Sequence, residues 1–183
     1  VLNWALINDE KEFGITVHFI DEGIDTGDII LQRVFPITDD DNYSTLLETA
    51  YLECANILYR AIKLLQNNQT KPIKQTTIHP IGFYCGKRCA GDEIINWHQN
   101  SRDVFNFIRS ICFPGPKATT YLNNAEIKIN CSKFFSHSIS YKGKPGQILA
   151  KTKDGYLIKT LDSFIEIMEI ESHVNLKIGE VLK

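Results

Sequence analysis

The sequence predicts an α/β unit followed by a small antiparallel β-barrel with an OB-like character. Three observations carry that expectation. Residues 1–70 hold two strand-like runs and one long amphipathic helix. Residues 92–183 hold one helix and five short alternating segments separated by turn signals. The charge also changes sign along the chain. Residues 1–70 carry 12 Asp/Glu against 4 Lys/Arg, a net of −8, and residues 71–183 carry 10 against 16, a net of +6. The division expected is therefore 1–70, a linker over 71–91, and a β-rich domain over 92–183.

Each element has a local reason. Residues 2–8 suit a short helix. Gly14 is expected to break the chain before Ile15-Thr-Val-His-Phe-Ile20, a run of β-branched and aromatic residues that reads as a strand. Asp21-Glu-Gly-Ile-Asp-Thr-Gly27 has a loop composition. Ile29-Ile-Leu-Gln-Arg-Val-Phe35 reads as the next strand, ended by Pro36. So short a loop between two strands favours an antiparallel pair, because a parallel pair needs a longer crossover.

From Leu46 to Leu65, apolar residues recur at three- and four-residue steps, the pattern of a long helix. Asp41 to Ser44 supply its N-cap, and Asn67-Asn-Gln-Thr-Lys-Pro72 stops it. A helix is expected over 101–111, capped by Ser101, with a turn at Phe113-Pro-Gly-Pro116. Strands are expected over 118–122, 126–131, 147–150, 156–160 and 164–170. Turns at Asn123-Asn124, Lys144-Pro-Gly146 and Asp154-Gly155 separate them. Trp97 is expected to anchor packing.

A hydrophobic fraction of 43% with 23% charged residues excludes disordered and fibrous classes. No apolar run reaches the ~20 residues that span a bilayer, and no secretion signal is expected. Five cysteines without a dense framework read as reduced thiols, so a cytoplasmic protein is expected. Cys85 and Cys89 lack the second pair that a zinc site needs, so no metal is expected.

Strand alternation places Thr16 and His18 on one face, with His18 able to look toward the loop that holds Asp25. A carboxylate beside an imidazole can orient it or pass a proton through water. Gly23 and Gly27 allow tight turning and expose main-chain groups to a ligand such as a pterin. Taken alone, these features suit a solvated acidic turn and an ordinary strand histidine better than they suit catalysis.

The run Gly14-Ile-Thr-Val-His-Phe-Ile-Asp-Glu-Gly-Ile-Asp-Thr-Gly-Asp-Ile-Ile-Leu-Gln32 closely resembles the 10-formyltetrahydrofolate-dependent formyltransferases. Leu2-Asn-Trp-Ala5, Gly86-Lys-Arg88, Asp92-Glu-Ile-Ile-Asn-Trp97, Asn106-Phe-Ile-Arg109 and Pro114-Gly-Pro-Lys-Ala118 extend the resemblance over almost the whole chain. It implies that residues 1–70 are the later part of a Rossmann-like catalytic domain. It assigns Asp25 as the catalytic aspartate, and Asp21, Glu22, Gly23, Ile24 and His18 as residues around the folate, with 10-formyltetrahydrofolate as co-substrate. The family's catalytic Asn and His are not among these residues, so the chain is expected to be a fragment. Alone it is expected to be inactive.

Lys87, Arg88 and Arg109 match basic positions that could meet acceptor phosphates, where Arg bonds bidentately. Solvation or ion pairing between domains suits them equally well. Tyr84-Cys-Gly-Lys-Arg88 and Asn96-Trp-His98 look more like the enzymes that formylate nucleotide-linked amino sugars. The +6 balance also suits initiator methionyl-tRNA. A homodimer is an open assembly, and a non-catalytic remnant used as a binding module is the alternative outside catalysis.

Overall fold

The computed structural model describes residues 1–82 and 84–183. In chain order the elements are α1 (Leu2–Ile7), β1 (Glu12–His18), β2 (Ile29–Pro36), α2 (Tyr43–Gln66), α3 (Gln75–Ile78), α4 (Ser101–Ser110), β3 (Ala118–Leu122), β4 (Ala125–Lys133), β5 (Ile148–Lys151), β6 (Gly155–Lys159) and β7 (Phe164–Ser172). They divide into two compact units. One comprises Val1–Glu10, Asp39–Ser44 and Lys87–Lys183; the other comprises Lys11–Thr38 and Thr45–Gly86.

The unit formed by Lys11–Thr38 and Thr45–Gly86 contains the β1–β2 hairpin, most of α2 and the segment after it. The strands pair antiparallel from Glu12 opposite Pro36 to His18 opposite Ile29, and the register shifts between Val17 and His18. Gly14 lies inside β1, opposite Val34, and does not break the strand. The ladder supplies hydrogen bonds on both sides of it, and the Phe13–Phe35 stack at 5.3 Å anchors the neighbouring pair. In α2 only Leu46, Ile57 and Ala61 are buried, whereas Tyr51, Leu58, Tyr59 and Ile62 on the same helix are exposed. The apolar stripe written in the sequence is thus wider than the face that this unit covers.

The other unit holds a five-stranded antiparallel sheet in the order β3-β4-β7-β6-β5, with α4 packed on β4 and β7. Its core is built from β-branched side chains of several strands, including Ile127, Ile129, Ile158, Ile165 and Ile167, against Val104 and Ile108 of α4. Burying each contributes roughly 1.5–3 kcal/mol. Trp97 is 3% exposed and donates its indole N–H to the Thr120 hydroxyl at 2.9 Å, so it does anchor packing. The β3–β4 turn is Asn123-Asn124, both with positive φ, the geometry that a two-residue hairpin loop requires.

Ser101 is not the N-cap of α4; Asn100 is, and its side chain makes no capping bond. The Asp162 carboxylate instead accepts from the Ser101 N–H and hydroxyl, both at 2.7 Å. A cap delivered from 61 residues away leaves no local spacing signal.

α1 packs on α4, and two arginines tie the neighbouring segments together. Arg102 pairs with Asp9 at 2.6 Å and with Asp39 at 2.6 Å. Arg109, only 5% exposed, reaches Asp9 at 3.8 Å, donates to the Asp41 carbonyl at 3.0 Å and to the Asn106 side chain at 3.0 Å, and lies over Phe105.

Candidate active site

The loop after β1 is built around two fixed points. Its ends are tied by Phe19 N–H donating to the Asp28 carbonyl at 2.9 Å. Within it, Asp21 accepts from the Gly23 N–H at 3.1 Å and from the Thr26 hydroxyl at 2.6 Å. The Thr26 hydroxyl bond holds the Asp21 carboxyl below its usual range, so Asp21 is an anion that shapes the loop. Gly27 is obligatory: a Cβ there would lie 1.7 Å from the Phe19 carbonyl oxygen.

The carbonyls of the loop are held from downstream. Gln75, at the start of α3, donates to both the Asp25 and Gly27 carbonyls at 2.8 Å. The Tyr84 hydroxyl donates to the Ile24 carbonyl at 3.0 Å. Ile73 also bridges Ile29 through paired backbone hydrogen bonds of 2.8 and 2.9 Å. Ile73, Gln75 and Tyr84 thus brace the loop and the strand that follows it.

Asp25 sits at φ +57° with an 81% exposed side chain. Its carboxylate is 3.6 Å from His18 Nε2. His18 Nδ1 is 2.7 Å from the Phe19 carbonyl, which can only accept, so Nδ1 carries a proton and Nε2 faces the carboxylate. At 3.6 Å the pair is too far apart for a direct hydrogen bond. A proton passing between them would need an intervening water or ligand atom.

Five of the sequence-identified residues therefore converge here: His18, Asp21, Gly23, Ile24 and Asp25. Glu22 is exposed on the same loop, and Ile24 presents a 75% exposed side chain beside its held carbonyl. Thr16 accepts a hydrogen bond from Gln32 across the hairpin at 2.8 Å. Sequence reasoning missed Gln75 and the loop contact of Tyr84, which act 50 and 60 residues away in sequence.

Arg88 and Arg109 lie in the other unit. Arg109 is enclosed by the ion-pair network above. Arg88 is half-buried, donates to the Asp92 carbonyl and lies over the Phe107 ring at 5.4 Å. Among the described residues no three His, Cys, Asp or Glu side chains gather in a metal-binding arrangement, and no helix is long and apolar enough to cross a membrane.

The "Formyl transferase, C-terminal domain" family matches residues 90–181, and the "Formyl transferase" family matches residues 1–62. The chain belongs to the formyl transferase family. It is 32% identical over 173 residues to the methionyl-tRNA formyltransferase of Pelotomaculum thermopropionicum, covering 93% of this chain and 53% of that protein. Among solved structures it resembles the Helicobacter canadensis N-formyltransferase in complex with folinic acid and dTDP-3-aminofucose. The TM-score is 0.71 at 27% identity, with 91% of this chain and 59% of that one covered. It also resembles WlaRD, a sugar 3N-formyltransferase solved with dTDP and 5-N-formyl-tetrahydrofolate. There the TM-score is 0.64 at 28% identity, with 94% and 59% covered. As a member of the formyl transferase family, the chain spans about half the length of the curated relatives it matches.

Proposed function

We propose that this chain supplies the aspartate and much of the folate-facing loop of an enzyme that moves a formyl group from 10-formyltetrahydrofolate to a primary amine. The observation that carries this reading is the pairing of Asp25 with His18 on a braced, solvent-facing loop. The loop fits a pterin-bearing co-substrate. Its shape is set internally by Asp21 and Thr26, while the exposed Ile20 and Ile24 side chains offer apolar contact.

The folate supplies the formyl group. As the amine nitrogen bonds to the formyl carbon, the bond from that carbon to the folate N10 breaks; the amine loses one proton, and the departing N10 takes one up. Asp25 accepts that proton, directly or through water, and His18 Nε2, 3.6 Å from the carboxylate, is placed to share that water. The division into a catalytic part over 1–70, a linker over 71–91 and a β-rich part over 92–183 belongs to the same proposal. So does barrel closure of the five-stranded sheet. Tyr121 of β3 exchanges 2.9 Å backbone hydrogen bonds with Lys183, and Ile148 of β5 bonds to Glu180 and Gly179 at 2.8 Å, so both sheet edges meet the same terminal segment.

For the acceptor we favour a nucleotide-linked amino sugar, supported by the likeness to two sugar N-formyltransferases above 25% identity. Methionyl-tRNA is the second reading, supported by the 32% identical relative. A full-length enzyme carrying this chain should formylate a nucleoside-diphosphate amino sugar and leave methionyl-tRNA untouched. Formylation of methionyl-tRNA alone, weakening steeply with salt, would transfer the assignment to the second reading.

A further inference from the structure

Asp25 stands in the left-handed region, at φ +57°, a conformation that L-residues other than glycine adopt at a cost. Its own side chain does not hold it there. The carboxylate is largely exposed, and among the described residues it meets only the His18 ring, at 3.6 Å. The restraint comes through the backbone. Rotation about φ turns the rigid peptide plane that carries the preceding carbonyl, and rotation about ψ turns the plane that carries the residue's own carbonyl. Both planes that flank Asp25 are gripped. The Tyr84 hydroxyl donates to the Ile24 carbonyl at 3.0 Å, and Gln75 Nε2 donates to the Asp25 carbonyl at 2.8 Å. The same nitrogen donates to the Gly27 carbonyl at 2.8 Å, so two carbonyls of the loop converge on one amide. Swinging Asp25 to the right-handed region would turn these carbonyls away from their donors.

The two donors come from a stretch that apolar burial does not order. Of residues 71–82, Gln75 alone is half-buried and the rest are exposed, Ile73, Ile78 and Ile81 among them. Polar contacts fix the stretch instead. Backbone hydrogen bonds of 2.8 and 2.9 Å between Ile73 and Ile29 dock it at the start of β2, and the Gln75 and Tyr84 side chains tie it to the loop. All of these residues lie within the unit formed by Lys11–Thr38 and Thr45–Gly86.

On the reading that Asp25 takes the amine's proton, we infer that Gln75 and Tyr84 are positioning residues for the reaction. Tyr84 clamps the peptide plane before Asp25 and Gln75 the plane after it, and the two planes together set the direction of the Asp25 Cβ. The clamp therefore aims a carboxylate that no hydrogen bond of its own aims. Without it the backbone relaxes toward the right-handed region, which is the less costly one for an aspartate. The carboxylate then swings away from His18 Nε2 and from the proton it must take. Proton transfer needs hydrogen-bond reach, and a misplacement of about 1 Å is enough to slow a reaction severely.

The test is kcat in a full-length enzyme carrying this chain, measured at saturating 10-formyltetrahydrofolate so that a loss of folate affinity does not enter. Gln75→Ala and Tyr84→Phe should each lower kcat about tenfold. Tyr84→Phe keeps the ring and removes only the hydroxyl, so it leaves the packing of the stretch intact. Thr76→Ala, at an exposed neighbouring position on α3, should leave kcat unchanged. The deciding arm places each change in the Asp25→Asn enzyme. Residues that act through one another lose rate non-additively. Neither change should therefore lower the residual rate of Asp25→Asn by more than about twofold. A merely structural role would lower both backgrounds alike.

Undiminished kcat in either single variant overturns the clamp, because it requires both planes to be held. So does a full tenfold loss that persists in the Asp25→Asn enzyme. In both cases a slow Asp25→Asn enzyme leaves the catalytic reading standing. Undiminished transfer by Asp25→Asn sinks that reading instead, and the clamp with it.

Discussion

Asp25 is the residue on which catalysis is expected to turn, and its surroundings give several substitutions different signatures. Replacing Gln75 with Ala removes the donor shared by the Asp25 and Gly27 carbonyls without touching either reacting side chain. Its expected effect is a roughly tenfold loss of folinic acid affinity, measured by fluorescence titration, because the loop loses its brace. Gly27→Ala should be more damaging, since its Cβ has nowhere to go beside the Phe19 carbonyl. At this scale the sequence was informative for the loop itself: Asp21, Gly23 and Gly27 fall where its internal hydrogen bonds and tight turn need them. Gln75 and Tyr84 were illegible because nothing in local spacing tells a glutamine which carbonyl, 50 residues earlier, it will find.

Among the elements, the start of α4 gives the sharpest stability prediction. Burial alone would raise the Asp162 carboxyl, but hydrogen bonds from the Ser101 side chain and N–H, and from the Ser163 N–H, outweigh it and hold it below the usual range. A depressed folded-state value contributes stability that is present above the ordinary carboxyl value near ~4 and lost as pH falls through the lower folded value. Asp162→Asn should therefore flatten the acid limb of the stability curve, and Asp162→Ala should cost about 1–2 kcal/mol in urea unfolding at pH 7.

A second element-scale test concerns Lys159, which is fully buried at the end of β6. Its ammonium donates to the Thr160, Leu161 and Ser163 carbonyls at 2.8, 3.3 and 3.2 Å and lies 4.4 Å from the Tyr141 ring. Burial pushes its pKa down. Lys159→Met keeps the bulk but orphans three carbonyls, and should cost about 3 kcal/mol in the same assay. Strand positions, the Asn123-Asn124 turn and the long helix were legible because period and turn chemistry are local. The cap on α4 and the buried lysine were not, because both depend on the β6–β7 connection.

For the whole molecule, the charge reversal along the chain does not follow the two compact units, because Val1–Glu10 and Asp39–Ser44 join the basic second half. Asp9, Asp39 and Asp41 are acids of residues 1–70 that Arg102 and Arg109 draw into that unit. A count by sequence position does not foresee these pairings, since ion pairing is settled by folded proximity. The expectation that the chain alone lacks turnover belongs at this scale too, and a formyl-transfer assay on the 183 residues should read zero.

The most direct test of the account is formyl transfer by a full-length enzyme carrying this chain, with and without Asp25→Asn. The account predicts a loss of at least about a hundredfold in kcat/KM, with folinic acid affinity and melting temperature unchanged. Undiminished transfer by the Asp25→Asn enzyme would contradict it.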